Sequence, residues 1–305
     1  MTPFRWDVKY DRNGFRNDVD LKSADLIAIG DSFVEGLTVT SPELMTSRLA
    51  QLQGKVVANL GQSAYGPLEE LTVLRRYGLP LQPRTVIWMF FEGNDLGDVI
   101  HYRRTMQNPP TFLRSFWARC FTRSALKEMR RRLSPATRKP SGVTRSGVFQ
   151  ATDGSKVAMY FMYATPPLTQ ENLNALNETA VTIATAHRLM AAHQSHLIFV
   201  FIPAKFRVFH SFCQFPPESE CRNWITNDLP ERFRTAVGSI SSDIGYLDLT
   251  PAFVDAVKSG TLSYYADDEH WSPAGHNIAA ESIHDYLSTR DANGKSKMTS
   301  NSSIE

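Results

Sequence analysis

Four short stretches of this chain carry residue types that together could move an acyl group. Gly30-Asp31-Ser32-Phe33-Val34-Glu35-Gly36 supplies a hydroxyl, and Gly61-Gln62-Ser63 a glycine amide. Glu92-Gly93-Asn94-Asp95 supplies a side-chain amide, and Asp267-Asp268-Glu269-His270-Trp271-Ser272-Pro273 an imidazole with carboxylates beside it. A serine hydroxyl is a poor nucleophile until an adjacent imidazole takes its proton. The imidazole needs a carboxylate to hold its tautomer and stabilise its charged form. Amide N–H groups then stabilise the oxyanion of a tetrahedral intermediate. Each residue alone also has a plain structural reading: Ser32 as a turn serine, the acids before His270 as a helix-start cluster, Asn94-Asp95 as a loop turn. Their joint occurrence favours chemistry.

The elements that must bring them together follow from short apolar runs. Asp25–Gly30, Lys55–Gly61, Thr85–Phe91, His196–Pro203 and Gly245–Leu249 read as buried strands, too short for helices. Helical patterns lie between them. Ser41-Pro42-Glu43 gives a cap, a first-turn proline and an acid. Gly66-Pro67 opens a helix closed by Gly78, a long helix fits Thr169 to His193, and Thr250-Pro251 and Ser272-Pro273 open the last two. Alternating strands and helices predict a mostly parallel sheet covered on both faces. In such sheets ligands sit beyond the carboxyl ends of the strands, where the first three stretches fall.

On these residues the chain resembles the SGNH (GDSL-type) hydrolases. Gly30-Asp31-Ser32 with Gly36 matches the first of that family's four blocks, Gly61 the second, Asn94 the third, and Asp267 with His270 the Asp-x-x-His of the last. The matches come in order and span Leu26 to about Leu287. The resemblance implies a three-layer α/β/α sandwich with a flavodoxin-like five-stranded parallel sheet. It implies a serine esterase or acylhydrolase, with Ser32 as nucleophile, His270 as base then acid, and Asp267 orienting His270. Ser32, Gly61 and Asn94 would form the oxyanion hole, with no metal or organic cofactor. Two departures stand out. Glu92 occupies the usual glycine position of the third block, bringing either an altered approach to the oxyanion hole or a carboxylate to its rim. Asp268, two residues before His270, is the alternative orienting acid. That spacing, with Pro203-Ala204-Lys205, is similar to the alginate O-acetyltransferase branch. It keeps acetyl transfer to a cell-envelope glycan as an alternative reaction, and a non-catalytic binding domain on the same fold is a third.

The remaining composition narrows the setting. The chain has 305 residues, 42% apolar and 21% charged, with a formal net charge of +2, an ordinary globular balance. No run of 18 apolar residues is present, which excludes an apolar spanning helix. From His101 to Pro140 there are 11 Lys/Arg and one acid, Glu128. This basic block lies in an expected insertion over about 100–162, within a domain spanning 25–289. A lead-in covers 1–24, and a polar tail over 290–305 is expected to be disordered. Phe112, Phe116, Trp117 and Phe121 beside arginines give the insertion three readings: a lid, a peripheral anchor on an anionic surface, or a packed helix with a solvated basic face. No nucleic-acid recognition fold accompanies it. The expected partner is a small-molecule or glycan-linked ester. Cys213 and Cys221 are either a disulfide or two free thiols, and Cys120 stands alone. The first residues lack an apolar leader, so the chain as written reads as cytoplasmic unless an upstream export segment is missing. His101, His276 and Lys205 read as structural, and Gly14-Phe15-Arg16-Asn17 as a packing turn.

Overall fold

A computed structural model of the chain describes residues 8–108, 144–151 and 153–301, with side chains through Arg290. Five strands form one parallel sheet: β1 (Leu26–Gly30), β2 (Val57–Gly61), β3 (Thr85–Phe91), β6 (His196–Ile202) and β8 (Gly245–Asp248). Their order is β2-β1-β3-β6-β8, the flavodoxin-like arrangement. The register places Gly30 beside Gly61, so the ends of β1 and β2 are level. All residues of β1 and β3 are buried, which is why these strands read as unbroken apolar runs rather than alternating ones.

Successive residues feed opposite faces. Ala28, Ile87, Met89, Ile198 and Val200 belong to one core, together with Leu49 of α2 (Met45–Gln53), Phe253 of α8 (Thr250–Lys258) and Ile283 of α9 (Pro273–Asn301). Ile27, Ile29, Val86, Trp88, Phe90 and Phe199 belong to the other. There they meet Val73 of α3 (Pro67–Val73), Val99 of α4 (Asp95–Gln107), Ile183 of α5 (Gln170–Ala192) and Phe233 of α7 (Leu229–Ile240). The fold is therefore a three-layer α/β/α sandwich. Two short helices complete it: α1 (Ser32–Glu35) after β1, and α6 (Lys205–Phe209) after β6.

Two features of the fold go beyond the sequence reading. First, the expected insertion contains β4 (Ser146–Gln150) and β5 (Lys156–Tyr160), which with β7 (Cys213–Gln214) form a small antiparallel sheet, β5-β4-β7. Its buried Phe149, Met159 and Phe161 join the first core, so it packs on the domain. Second, α9 keeps helical backbone to Asn301, inside the 290–305 tail for which the sequence reading gave no helix. Extension of a formed helix is far cheaper than its nucleation. Of the two alternatives left open for Cys213 and Cys221, the structure has free thiols. The aromatic part of the basic block, including Cys120, lies outside the described residues. Among the described residues, no helix is long and apolar enough to cross a membrane.

Candidate active site

The first stretch folds into a tight strand-to-helix turn. Asp31 caps α1 by accepting the Phe33 N–H at 2.9 Å, and Gly36, at φ 67°, ends it in the left-handed conformation. The turn needs Gly30: a Cβ there would lie 2.5 Å from Val34 Cγ2 and 3.1 Å from the Met89 carbonyl. Ser32 is thereby the first helical residue. Its N–H has no partner within the helix.

The last stretch meets it from the opposite end of the chain. His270 Nε2 lies 2.8 Å from Ser32 Oγ, and His270 Nδ1 lies 2.6 Å from Asp268 Oδ1. Asp268 Oδ1 also accepts the His270 backbone N–H at 2.8 Å, closing a local turn that an acid two residues before its partner can make. The carboxylate on His270 is therefore that of Asp268, which corrects the expectation for Asp267. Asp267 is exposed to solvent. The hydrogen bond from His270 holds the Asp268 carboxyl down at about 2, against the opposing effect of partial burial. Burial would lower the His270 pKa, but the hydrogen bond and charge of Asp268, with the charges of Asp31 and Glu269, raise it above its ordinary value. Phe33 packs against the imidazole with ring centroids 5.2 Å apart.

The two remaining oxyanion candidates differ in outcome. Asn94, at the start of α4, lines the same pocket as Ser32 and His270. Its Nδ2 donates to Asp98 at 2.9 Å, which leaves one further N–H on that atom, and its Oδ1 is buried without a partner. Gly61 instead donates its N–H to Asn59 Oδ1 at 2.9 Å, so that group is already satisfied. Its glycine identity serves packing, since a Cβ would fall 2.3 Å from the Glu35 nitrogen. The residue of this loop that reaches the pocket beside Ser63 is Ala64, held at φ 65°, an uncommon conformation for alanine. Buried Glu35 fixes this loop: its carboxylate accepts both the N–H (2.7 Å) and the hydroxyl of Ser63, with the Tyr10 hydroxyl at 3.0 Å. Residue types alone gave no signal for Ala64.

The pocket encloses about 280 Å³. Phe33, Leu37, Phe91, Met162 and Tyr163 supply its apolar wall, the last two delivered by the antiparallel sheet. Glu92 does not reach the rim. It is fully buried, takes both oxygens to Arg207 Nε at 2.9 Å, and accepts the Ala204 N–H at 2.9 Å. Near Asp31 stand three further acids, Glu70 and Asp95 fully buried and Asp98 partly so. Burial pushes Asp31 and Asp98 each up to about 6, and burial with neighbouring charge raises Glu70 and Asp95 well above the carboxylate range. His276 accepts the Met45 N–H at 3.2 Å, and burial drives its pKa down to about 3, so it is neutral and structural. Arg16 is buried on the Gly36 and Val39 carbonyls and braces the loop after α1.

Residues 161–304 match the family model described as SGNH hydrolase-like domain, acetyltransferase AlgX. Over that stretch the chain is similar to the SGNH hydrolase-like family, of the AlgX type. The matched part holds Asp268 and His270, whereas Ser32 and Asn94 precede it. No curated protein matches the chain. Among solved structures it is similar to a G-D-S-L-family protein from Desulfitobacterium hafniense DCB-2, at 14% identity, covering 86% of this chain and 98% of the other, with a TM-score of 0.45. It is also similar to Axe2, an acetylxylan esterase from Geobacillus stearothermophilus, at 13% identity, 88% and 95% coverage and a TM-score of 0.45. LAE5, an alpha/beta hydrolase enzyme from the Lake Arreo metagenome, matches at 12% identity, 88% and 96% coverage and a TM-score of 0.45.

Proposed function

We propose that this SGNH-like chain is a serine esterase that cleaves small carboxylic esters through an acyl-enzyme. The observation that carries the reading is the unbroken relay from Asp268 through His270 to Ser32, at 2.6 Å and 2.8 Å. In the proposed cycle Ser32 Oγ attacks the ester carbonyl as its proton passes to His270 Nε2. Asp268 holds the proton on Nδ1 and stabilises the imidazolium. The Ser32 N–H and the Asn94 amide stabilise the oxyanion, with the Ala64 N–H replacing the role expected of Gly61. Collapse expels the alcohol, which takes the proton from Nε2, and water then repeats the sequence to release the acid. A pocket of about 280 Å³ suits a short acyl group better than a long chain.

Acetyl transfer to a sugar hydroxyl is the second reading, favoured by the AlgX-type match over residues 161–304. A sugar hydroxyl and water compete for the same acyl-enzyme, so the relay serves both. The non-catalytic alternative has less support, because a relay with a raised imidazole pKa is more than the fold alone requires. The test is hydrolysis of p-nitrophenyl acetate by the wild type and Ser32→Ala. A loss of roughly 10⁴–10⁶-fold in kcat is expected, and equal rates would remove the proposal. Acetyl transfer to an added oligosaccharide, followed by mass spectrometry, separates the two enzymatic readings.

A further inference from the structure

Lys205 follows β6 and Pro203-Ala204, where an ordinary lysine would reach into solvent. Instead it has no exposed surface. Its ammonium donates to four backbone carbonyls: Tyr160 at 2.6 Å, Tyr265 at 2.6 Å, Ala266 at 2.9 Å and Asp268 at 3.0 Å. Three N–H groups shared by four acceptors leave no donor free. Burying an ammonium is costly unless it is fully hydrogen-bonded and electrically compensated. Compensation comes from Glu269, itself buried, whose carboxylate accepts the Lys205 backbone N–H at 3.1 Å and the Met162 N–H at 3.0 Å. The lysine therefore ties the end of β5 to the loop that precedes His270.

Three of the four carbonyls belong to residues 265–268, the segment whose last member presents its carboxylate to His270. Drawing those carbonyls inward around one cation turns their peptide planes together and leaves the Asp268 side chain directed outward to the imidazole. We propose that Lys205 is a positioning residue for the Asp268–His270 pair, acting through the backbone carbonyl of Asp268 rather than on substrate. It touches no reacting atom in the relay, and its influence passes wholly through the loop. The inference rests on the esterase reading only for its kinetic consequence, since the alignment of Asp268 with His270 is measurable without turnover.

The experiment is an NMR titration of the His270 ring in the full chain, in wild type, Lys205→Met and Asp268→Ala, together with kcat/KM for p-nitrophenyl acetate in those proteins and in the double variant. Charges facing His270 are Asp268, Asp31 and Glu269. Removing a nearby positive charge would by itself raise the His270 pKa, whereas loosening Asp268 lowers it, so the two causes have opposite signs. A fall of about one unit in Lys205→Met is expected, in the direction of Asp268→Ala. An unchanged or raised value overturns the proposal. Kinetically, Lys205→Met should cost about 10–100-fold in kcat with KM little changed, and less than about threefold when Asp268 is already alanine. Equal multiplicative losses in both backgrounds also overturn it, as a purely structural role would give that result. Should Lys205→Met not fold, Lys205→Arg keeps the cation but not the fit of a compact ammonium among four carbonyls. A lowered His270 pKa in that variant supports the proposal, and a wild-type value contradicts it. A wild type that titrates as described yet shows no Ser32-dependent hydrolysis would refute the esterase reading and leave the positioning role standing.

Discussion

Asp268 performs two tasks with one oxygen, and two substitutions separate them. Its Oδ1 accepts the His270 backbone N–H at 2.8 Å while facing Nδ1 at 2.6 Å. In Asp268→Asn the backbone N–H still demands an acceptor, so the amide oxygen takes the same place and keeps the proton on Nδ1. What disappears is the charge. Replacing a charged hydrogen bond with a neutral one costs about 1–2 kcal/mol, at the lower end here because the Asp268 side chain is 43% exposed. That corresponds to about 5–30-fold in kcat/KM. Asp268→Ala loses the tautomer clamp as well and should cost about 10³–10⁴-fold. Asp267→Asn should stay within about twofold of wild type, because an exposed charge contributes little. The assay is p-nitrophenyl acetate hydrolysis from pH 5 to 9. His270 must be neutral to act as a base, so activity falls as pH drops through its raised pKa. Without the Asp268 charge that pKa falls and the acid limb moves to lower pH. Equal losses in the Asn and Ala variants would refute the argument from the shared oxygen. A larger loss in Asp267→Asn than in Asp268→Ala would refute the assignment itself.

Three further outcomes follow from the same geometry. Asn94→Ala should lower kcat by about 10²–10³-fold with KM nearly unchanged; a rise in KM alone would show that the amide binds substrate rather than the oxyanion. Arg207→Met leaves the fully buried Glu92 carboxylate without its cation and should destabilise the protein by about 3–5 kcal/mol in urea denaturation, a loss that Glu92→Gln in the same chain should partly relieve. Glu70 has a folded pKa raised well above its ordinary value, so its contribution to stability is full below about 4.5 and is lost as pH rises through the folded value. Glu70→Gln keeps an acceptor for Trp88 Nε1, which donates to Glu70 at 2.6 Å, and should flatten the decline of Tm between pH 5 and 8. An unchanged slope would mean that Glu70 does not hold a proton in the folded state.

The parallel sheet was legible because central strands buried on both faces, β1 and β3 above all, read as unbroken apolar runs, and all five runs are strands within one or two residues. The antiparallel sheet was not. β4 mixes Ser146, Gly147 and Gln150 with Val148 and Phe149, and β7 is only two residues long, so its pairing is tertiary. That Ser32, His270 and a neighbouring acid come together was legible by type and by position in the chain, but not the choice between adjacent acids. That choice depends on which oxygen closes a turn onto the His270 N–H. Gly61 fitted the oxyanion role by type and strand end, but whether the nearby Asn59 oxygen takes its N–H depends on the folded side-chain geometry. Glu92 finds Arg207 and Lys205 finds the 265–268 carbonyls only after the chain folds, so burial of those charges carried no local signature.

The central claim is that Ser32 is a nucleophile activated by His270. The most direct measurement is labelling with a fluorophosphonate probe, followed by peptide mapping by mass spectrometry, on wild type and His270→Ala. The account predicts one adduct per chain, on Ser32, formed far more slowly once the imidazole is removed. No adduct, an adduct on another residue, or a rate indifferent to His270 would contradict it.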